Sequence, residues 1–307
     1  MSDPVIRALT VDDLGEALRL STTAGWNQQV DDWRMLLRLA PAGAFAALID
    51  ACLVGTAVGI DYGGFAWIAM MLVDPAYRGR GVGRRLLEAA MDAVPPNLRI
   101  RLDATPLGRP LYQRYGFDDE ATLSRHVSDG SNRGDASVSE AFNGSGDVRP
   151  LTASDLAIVI ERDSEVFGGT RGAVLDWAFH AAPQYACIVP TDNGVMHYCL
   201  GRQGRRYDQI GPVVAGHEDI ANALVNTALG AAGDRPVAVD AFDAPPAFPA
   251  RLRRRGFFIE RPLIRMCRAA ASAAREQGVP ALAPAFRPRL ISRSRGNEFA
   301  IFGPEFA

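Results

Sequence analysis

The stretch that decides the fold is Met70-Met-Leu-Val-Asp-Pro-Ala-Tyr-Arg-Gly-Arg-Gly-Val-Gly-Arg-Arg-Leu-Leu-Glu-Ala-Ala-Met91. It divides into three pieces. Trp67 to Val73 is an apolar run of strand length, and Asp74-Pro75 ends it, because proline has no N–H to give a ladder. Arg78 to Gly83 is a glycine-rich turn. From Arg84 onward, Leu86, Leu87, Ala90 and Met91 recur at helical spacing.

A strand, a glycine loop and a helix N-terminus make an anion site. Gly79, Gly81 and Gly83 let the backbone turn sharply and bring its N–H groups close to a ligand. The helix end adds unpaired donors and about half a positive charge. Arg78, Arg80, Arg84 and Arg85 add full charges, so the expected guest is a phosphate or pyrophosphate. A nucleoside triphosphate loop would continue Gly-Lys-Ser/Thr. Here Val82-Gly83-Arg84 follows, and the chain contains no lysine. A dinucleotide fold would show G-x-G-x-x-G with an acid about 20 residues later.

The spacing that is present, Arg78-x-x-Gly81-x-Gly83, resembles the coenzyme A loop of the GNAT superfamily of N-acetyltransferases. The flanks agree: a Val-Asp-Pro strand end before the loop and an amphipathic helix after it. Downstream, Pro110-Leu-Tyr-Gln-Arg-Tyr-Gly-Phe117 resembles that family's tyrosine–glycine–phenylalanine signature, in the right order and at the right distance.

The resemblance implies acetyl-CoA as cofactor, held by the strand end Met71, Leu72, Val73 and by Arg78, Gly79, Arg80, Gly81, Val82, Gly83 and Arg84. It implies polarisation of the thioester by a backbone N–H in the Met71–Val73 region, and Tyr112 as general acid for the departing thiolate. The base is less determined. Many relatives carry an acid on the strand before the loop, where this chain has Ala69 and Met70. Asp103 is a weak candidate on a neighbouring strand; Asp61 and Tyr62 are equally possible, and a water relay needs none of them. The early helix–loop–helix of this family walls the acceptor side. Trp26, Trp33 and Trp67 offer aromatic surface, Asp31, Asp32 and Asp61 offer charge, and core packing competes for each tryptophan. The acceptor-binding set is Trp26, Asp61, Tyr62 and Trp67.

In chain order, Ile6 to Leu14 reads as a short strand and a helix entered through Thr10 and Asp13, a capping-box pair. A second helix spans Asp31 to Leu39. Strands Phe45–Ile49 and Leu53–Asp61 flank a hairpin at Asp50-Ala51, and the strand Phe65–Val73 leads into the loop. Leu98 to Asp103 alternates as a strand, and Arg109 to Tyr115 is a short helix. Residues 128–147 are small and polar and read as a flexible linker.

Beyond the linker the pattern repeats. Val148–Leu156 echoes Ile6–Leu14, Val237–Ala241 echoes Ile100–Ala104, and Leu252–Phe257 echoes Tyr112–Phe117, at offsets of 137 to 142 residues. The second copy lacks the loop. Gly211-Pro212 and Glu218-Asp219 stand where the glycines and arginines would be, and Leu252 replaces Tyr112, so one coenzyme site is expected. Asp240 survives in that copy as the echo of Asp103, which favours a structural reading of both. The fold class is therefore mixed α/β (α+β). It comprises two GNAT-like domains, each a mostly antiparallel, splayed sheet flanked by helices. Residues 1–127 form the catalytic domain; residues 148–307 form a degenerate domain that shapes the acceptor pocket and carries a docked apolar tail.

Composition sets bounds. Hydrophobic residues are 48% of 307, enough for a globular core, and a net charge of −2 gives no support to nucleic-acid binding. Cys52, Cys187, Cys199 and Cys267 are scattered without metal-ligand spacing, and His126, His180, His197 and His217 form no ligand set. No metal, no membrane span, no signal peptide, a cytoplasmic location and a monomer or homodimer are expected. The partner expected is a small-molecule amine, acetylated by direct transfer. Two other readings are a regulatory acyl-CoA-binding module and a protein acetyltransferase.

Overall fold

A computed structural model describes residues 3–130, 147–191, 194–270 and 297–307. Most of the expected linker, and the tail from Pro280 to residue 296, lie outside the described residues. Two compact units are present, and they do not follow chain order. The first takes the described residues up to Asp119, residues 266–270 and Phe306; the second takes Glu120–Arg265, residues 297–305 and Ala307.

In the first unit the strands are β1 (Val5–Ala8), β2 (Ala44–Ile49), β3 (Cys52–Asp61), β4 (Ala66–Val73) and β5 (Ile100–Ala104), in that sheet order. All neighbouring pairs are antiparallel except β4–β5, which is parallel. The helices are α1 (Leu14–Thr23), α2 (Val30–Leu39), α3 (Val82–Asp92) and α4 (Arg109–Arg114). The β2–β3 turn holds Asp50 and Ala51 at φ of 50° and 64°, a left-handed pair that matches the sheet's twist without any glycine.

The apolar face of α3, Leu86, Leu87 and Ala90, is fully buried. Two glycines of β3 make this close seating possible. A Cβ on Gly59 would stand 2.5 Å from the Ala90 carbonyl oxygen, and one on Gly55 would stand 2.9 Å from Leu86 Cδ1. The helix that starts at the glycine loop is thus registered on the sheet by two missing side chains.

In the second unit the strands are β6 (Asp118–Ser128, from Glu120), β7 (Arg149–Pro150), β8 (Cys187–Thr191), β9 (Gly194–Arg202), β10 (Asp208–Ala215), β11 (Val237–Phe242), β12 (Phe258–Arg268, to Arg265) and β13 (Asn297–Ile301). Its helices are α5 (Ala153–Phe167), α6 (Gly172–Ala181), α7 (Glu218–Ala232) and α8 (Ala247–Arg254). The order β6-β11-β13-β10-β9-β8-β7 shows an exchange. β6 closes the first sequence copy, yet it pairs antiparallel with β11 of the second, from Leu123↔Phe242 to Ser128↔Val237. Conversely, residues 266–268 at the end of β12 belong to the first unit.

The repeat is visible atom by atom. Thr10 N donates to Asp13 at 2.8 Å, and Arg7 makes two bonds of 2.7 Å to the same carboxylate. Thr152, Asp155 and Arg149 repeat this at 2.9, 2.7 and 2.8 Å. The arginine holds the Asp13 carboxyl down to about 2, and Asp155 is lowered for the same reason. A depressed carboxylate stabilises the fold above its unfolded value and ceases to do so as pH falls through the folded one.

The Gly59→Ala variant is expected to lose about 1–3 kcal/mol in urea denaturation, as overpacking against a backbone atom costs. Wild-type stability would mean that α3 can withdraw from β3.

Candidate active site

β4 is irregular where the chemistry was expected. Thr56 pairs with Leu72 and Val58 with Ala69, so Ala57 alone faces both Met70 and Met71. This is a β-bulge. Met70 takes φ of +52°, a conformation that costs a non-glycine residue about 1–3 kcal/mol. The buried Thr56 hydroxyl donates to the Met70 carbonyl at 2.8 Å. On its other side β4 pairs with β5 only at Ala66↔Ile100 and Trp67↔Arg101. Beyond these two pairs the strands part, and among the described residues of the unit no strand enters the gap.

The gap leads to the glycine loop. Asp74 caps a short 3-10 turn by accepting from the Ala76 N–H at 3.0 Å, and Arg19 Nη1 reaches the same carboxylate at 3.2 Å. Gly79 and Gly81 have φ of 76° and 77°. A Cβ at either would meet open space, so these glycines serve the backbone conformation rather than packing. Gly81 is the N-cap of α3, and no side chain caps this helix. Among the described residues its first-turn N–H groups, the orphan donors of a helix start, have no side-chain cap. Arg78, Arg80 and Arg84 are exposed around them; Arg80 lies over the Tyr77 ring at 5.1 Å, and Arg84 stands 3.6 Å from Glu88. Val82 is buried beneath the turn, and Gly83 leaves room beside Val73 and Leu111.

Tyr112 lies on α4, buried, its ring edge-on to Phe117 at 6.0 Å. Burial pushes its phenol well above the ordinary value, so it stays protonated through neutral pH. Tyr115 turns the other way and donates to Glu88 at 2.6 Å.

The remaining expected residues divide. Asp103 is half-buried on β5. Its echo Asp240 is fully buried and pairs bidentately with Arg125 at 2.7 and 2.6 Å, with Gln209 joining at 3.2 Å. Asp61 is exposed and folds onto its own turn, accepting from the Gly63 N–H at 2.7 Å. Tyr62 is buried and donates to the Phe306 carbonyl at 2.9 Å. Trp67 has no exposed surface and meets Phe65 edge-on at 6.4 Å. Trp33 is equally enclosed, its Nε1 3.4 Å from Ser21 Oγ. Trp26 keeps exposed surface in the α1–α2 loop.

The second unit shows the same parting of strands with a different outcome. β10 and β11 pair in parallel only at Asp208↔Val237 and Gln209↔Ala238. Then β13 enters between them, pairing Ala300 with Val213 on one side and Ile301 with Asp240 on the other. It lies so close that a Cβ on Gly211, whose φ is +149°, would overlap the Ile301 carbonyl. At the α7 start, Glu218 and Asp219 occupy the first turn, and Asp219 binds Arg251 at 2.6 Å.

Two features escaped sequence reading. Thr56 had one signal, a lone hydroxyl in the apolar run Leu53–Ile60; the insertion of β13 had none, because strand order is non-local. Among the described residues no group of His, Cys, Asp and Glu could hold a metal, and no helix is long and apolar enough to cross a membrane.

Comparison with known proteins agrees with this geometry. The acetyltransferase (GNAT) family model matches residues 11–117, and an acetyltransferase (GNAT) domain model matches residues 159–279. The Bacillus subtilis protein named "Uncharacterized N-acetyltransferase YitH" is 28% identical over 183 residues, 58% of this chain and 61% of its own length. Holothin acyltransferase from a Pseudoalteromonas species is 23% identical over 206 residues, 66% of this chain and 67% of its own. The chain thus spans about three fifths to two thirds of these relatives. A solved GCN5-related N-acetyltransferase from Sphaerobacter thermophilus superposes with a TM-score of 0.64 at 18% identity, covering 86% of this chain and 95% of that one. With two matched domains and this splayed, loop-bearing sheet, the chain belongs to the GNAT acetyltransferase family.

Proposed function

We propose that this chain is an acetyl-CoA-dependent N-acetyltransferase that acts by direct transfer on a primary amine of a small molecule. The observation that carries the reading is the uncapped, arginine-ringed start of α3 at the mouth of the β4–β5 gap. Loop N–H groups of residues 79–83 and the side chains of Arg78, Arg80 and Arg84 suit a pyrophosphate. The gap beside Met71, Leu72 and Val73 suits an extended pantetheine arm. Acetyl-CoA, when bound, supplies a thioester-activated acetyl group.

The other roles fall to the chain. A β4 backbone N–H polarises the acyl oxygen. Tyr112, kept protonated by burial, gives its proton to the departing sulfur. The proton lost by the amine is given to water rather than to the weak candidate Asp103: Ala69 and Met70 offer no carboxylate, and the buried ion pair of the echo Asp240 supports an architectural role for Asp103. Trp26 and Asp61, which keep exposed surface, are the side chains assigned to the acceptor; Tyr62 and Trp67 support them from the core. One coenzyme binds per chain, since β13 fills the corresponding gap of the second unit. The relative named holothin acyltransferase acts, by that name, on an acceptor of its own; here the acceptor is defined by an amine-library screen with acetyl-CoA, reading free thiol. Coenzyme binding without thiol release for any amine would make the chain a binding module instead.

Gly81→Glu forces a side chain into φ of +77° and sets a negative charge at the anion site. Acetyl-CoA affinity measured by calorimetry is expected to fall at least about tenfold, about 1.4 kcal/mol. Unchanged affinity in a folded variant would move the site elsewhere.

Tyr112→Phe is expected to lower kcat about 100-fold with little change in coenzyme affinity. Because burial raises the phenol, wild-type kcat is expected to show no alkaline decline below about pH 10, the ordinary tyrosine value. Turnover within about threefold of wild type would make Tyr112 a packing residue.

A further inference from the structure

The bulge in β4 contains a peptide group whose two ends are constrained together. The Met70 carbonyl and the Met71 N–H belong to one trans peptide. Such a unit is planar, and its C=O and N–H point to opposite sides. Thr56 Oγ1 holds the Met70 carbonyl on the β3 side at 2.8 Å. The Met71 N–H is thereby turned away from β3, toward the side on which β4 has left β5.

We propose that Thr56 is a positioning residue for acyl transfer: by holding the Met70 carbonyl, its hydroxyl aims the Met71 N–H into the β4–β5 gap, where that N–H donates to the thioester oxygen. The inference rests on the acyltransferase reading above. Several observations support it. Thr56 is completely buried in a run of apolar neighbours, where a hydroxyl has value only through its bond. Among the described residues, its hydroxyl donates to the carbonyl of the residue at positive φ. The β3–β4 register shifts across Met70 and Met71, both opposite Ala57, and the Thr56 bond is the side-chain contact that selects the orientation of their shared peptide. The assignment also narrows the donor from a three-residue region to one atom.

The test compares Thr56→Val, which keeps the shape and removes the donor, with Thr56→Ser, which keeps the donor. Loss of an oxyanion donor typically costs about 100-fold or more in kcat, and a misaimed donor is expected to cost at least about tenfold. Thr56→Val is expected to show that loss with KM for acetyl-CoA within about threefold, and Thr56→Ser is expected to restore turnover. A second readout separates aiming from stability. The infrared stretch of carbonyl-13C acetyl-CoA should shift to lower frequency on binding to wild type and to Thr56→Ser, but not to Thr56→Val. Equal kcat and an equal shift in Thr56→Val would overturn the proposal. Where Thr56→Val does not fold, wild-type protein labelled with 15N-methionine decides: the Met71 amide must respond to acetyl-CoA more than to free coenzyme A, and an equal response overturns the assignment. Failure of wild type to bind acetyl-CoA at all would instead remove the acyltransferase reading.

Discussion

The constraint on which the first unit depends is that β4 stays paired with β3 but leaves β5 after two residue pairs. A parallel ladder normally continues, because each unpaired N–H and C=O beside a sheet has lost water or a partner. Here the strand ends are forced apart. One consequence is a slot lined by main-chain polar groups. Another is that the glycine loop and the orphan donors of α3 sit at the slot's end rather than beside a closed sheet. The missing side chains at Gly55 and Gly59 let α3 seat closely on β3, which places the helix start beside the opening.

The two copies resolve that constraint in opposite ways. In the first, no described strand of the unit enters the gap. In the second, the chain supplies its own strand: β13 satisfies β10 and β11 from both sides at once. On the proposed function, a pantetheine arm would meet in the first unit the same deficit of hydrogen bonds that β13 meets in the second. With β13 in this gap, the α7 start carries Glu218 and Asp219 in its first turn in place of glycines and arginines. The buried ion pairs of this unit fit the same account. Arg171 binds Asp163 and Glu298, and Arg202 binds Glu305, so residues of the tail are held by charged groups that would be costly to leave unpaired.

Local chemistry made most of this legible. Asp74-Pro75, the glycine spacing and the periodic leucines of residues 84–91 located β4, the loop and α3 within two residues of where they lie. Thr10–Asp13 marked the first helix entry, because a capping contact spans only three residues, and the echo Val148–Leu156 marked the second. What sequence could not show is pairing at a distance. Nothing in Leu123–Ser128 reveals that it joins β11 of the other copy, and nothing in Phe299–Ile301 names the strands it separates. Aromatic residues misled for a related reason: Trp67 and Trp33 look equally suited to a pocket wall and a core, and only burial distinguishes them.

The catalytic groups themselves are weakly written in the side chains, and the structure gives the reason. If the acyl oxygen is met by a backbone N–H, any residue at Met71 supplies it, and selection acts on whatever shapes the backbone. Those determinants are the bulge, the positive φ of Met70 and a donor opposite its carbonyl. None has a fixed side-chain signature except the donor, and one threonine in a buried strand reads as noise until its partner is known. The same logic explains the missing carboxylate on β4. A site whose electrostatic work is done by main-chain dipoles and an uncapped helix places little demand on charged side chains within the gap. On the proposed function, arginines would be needed only at the mouth, where a pyrophosphate is drawn out of water.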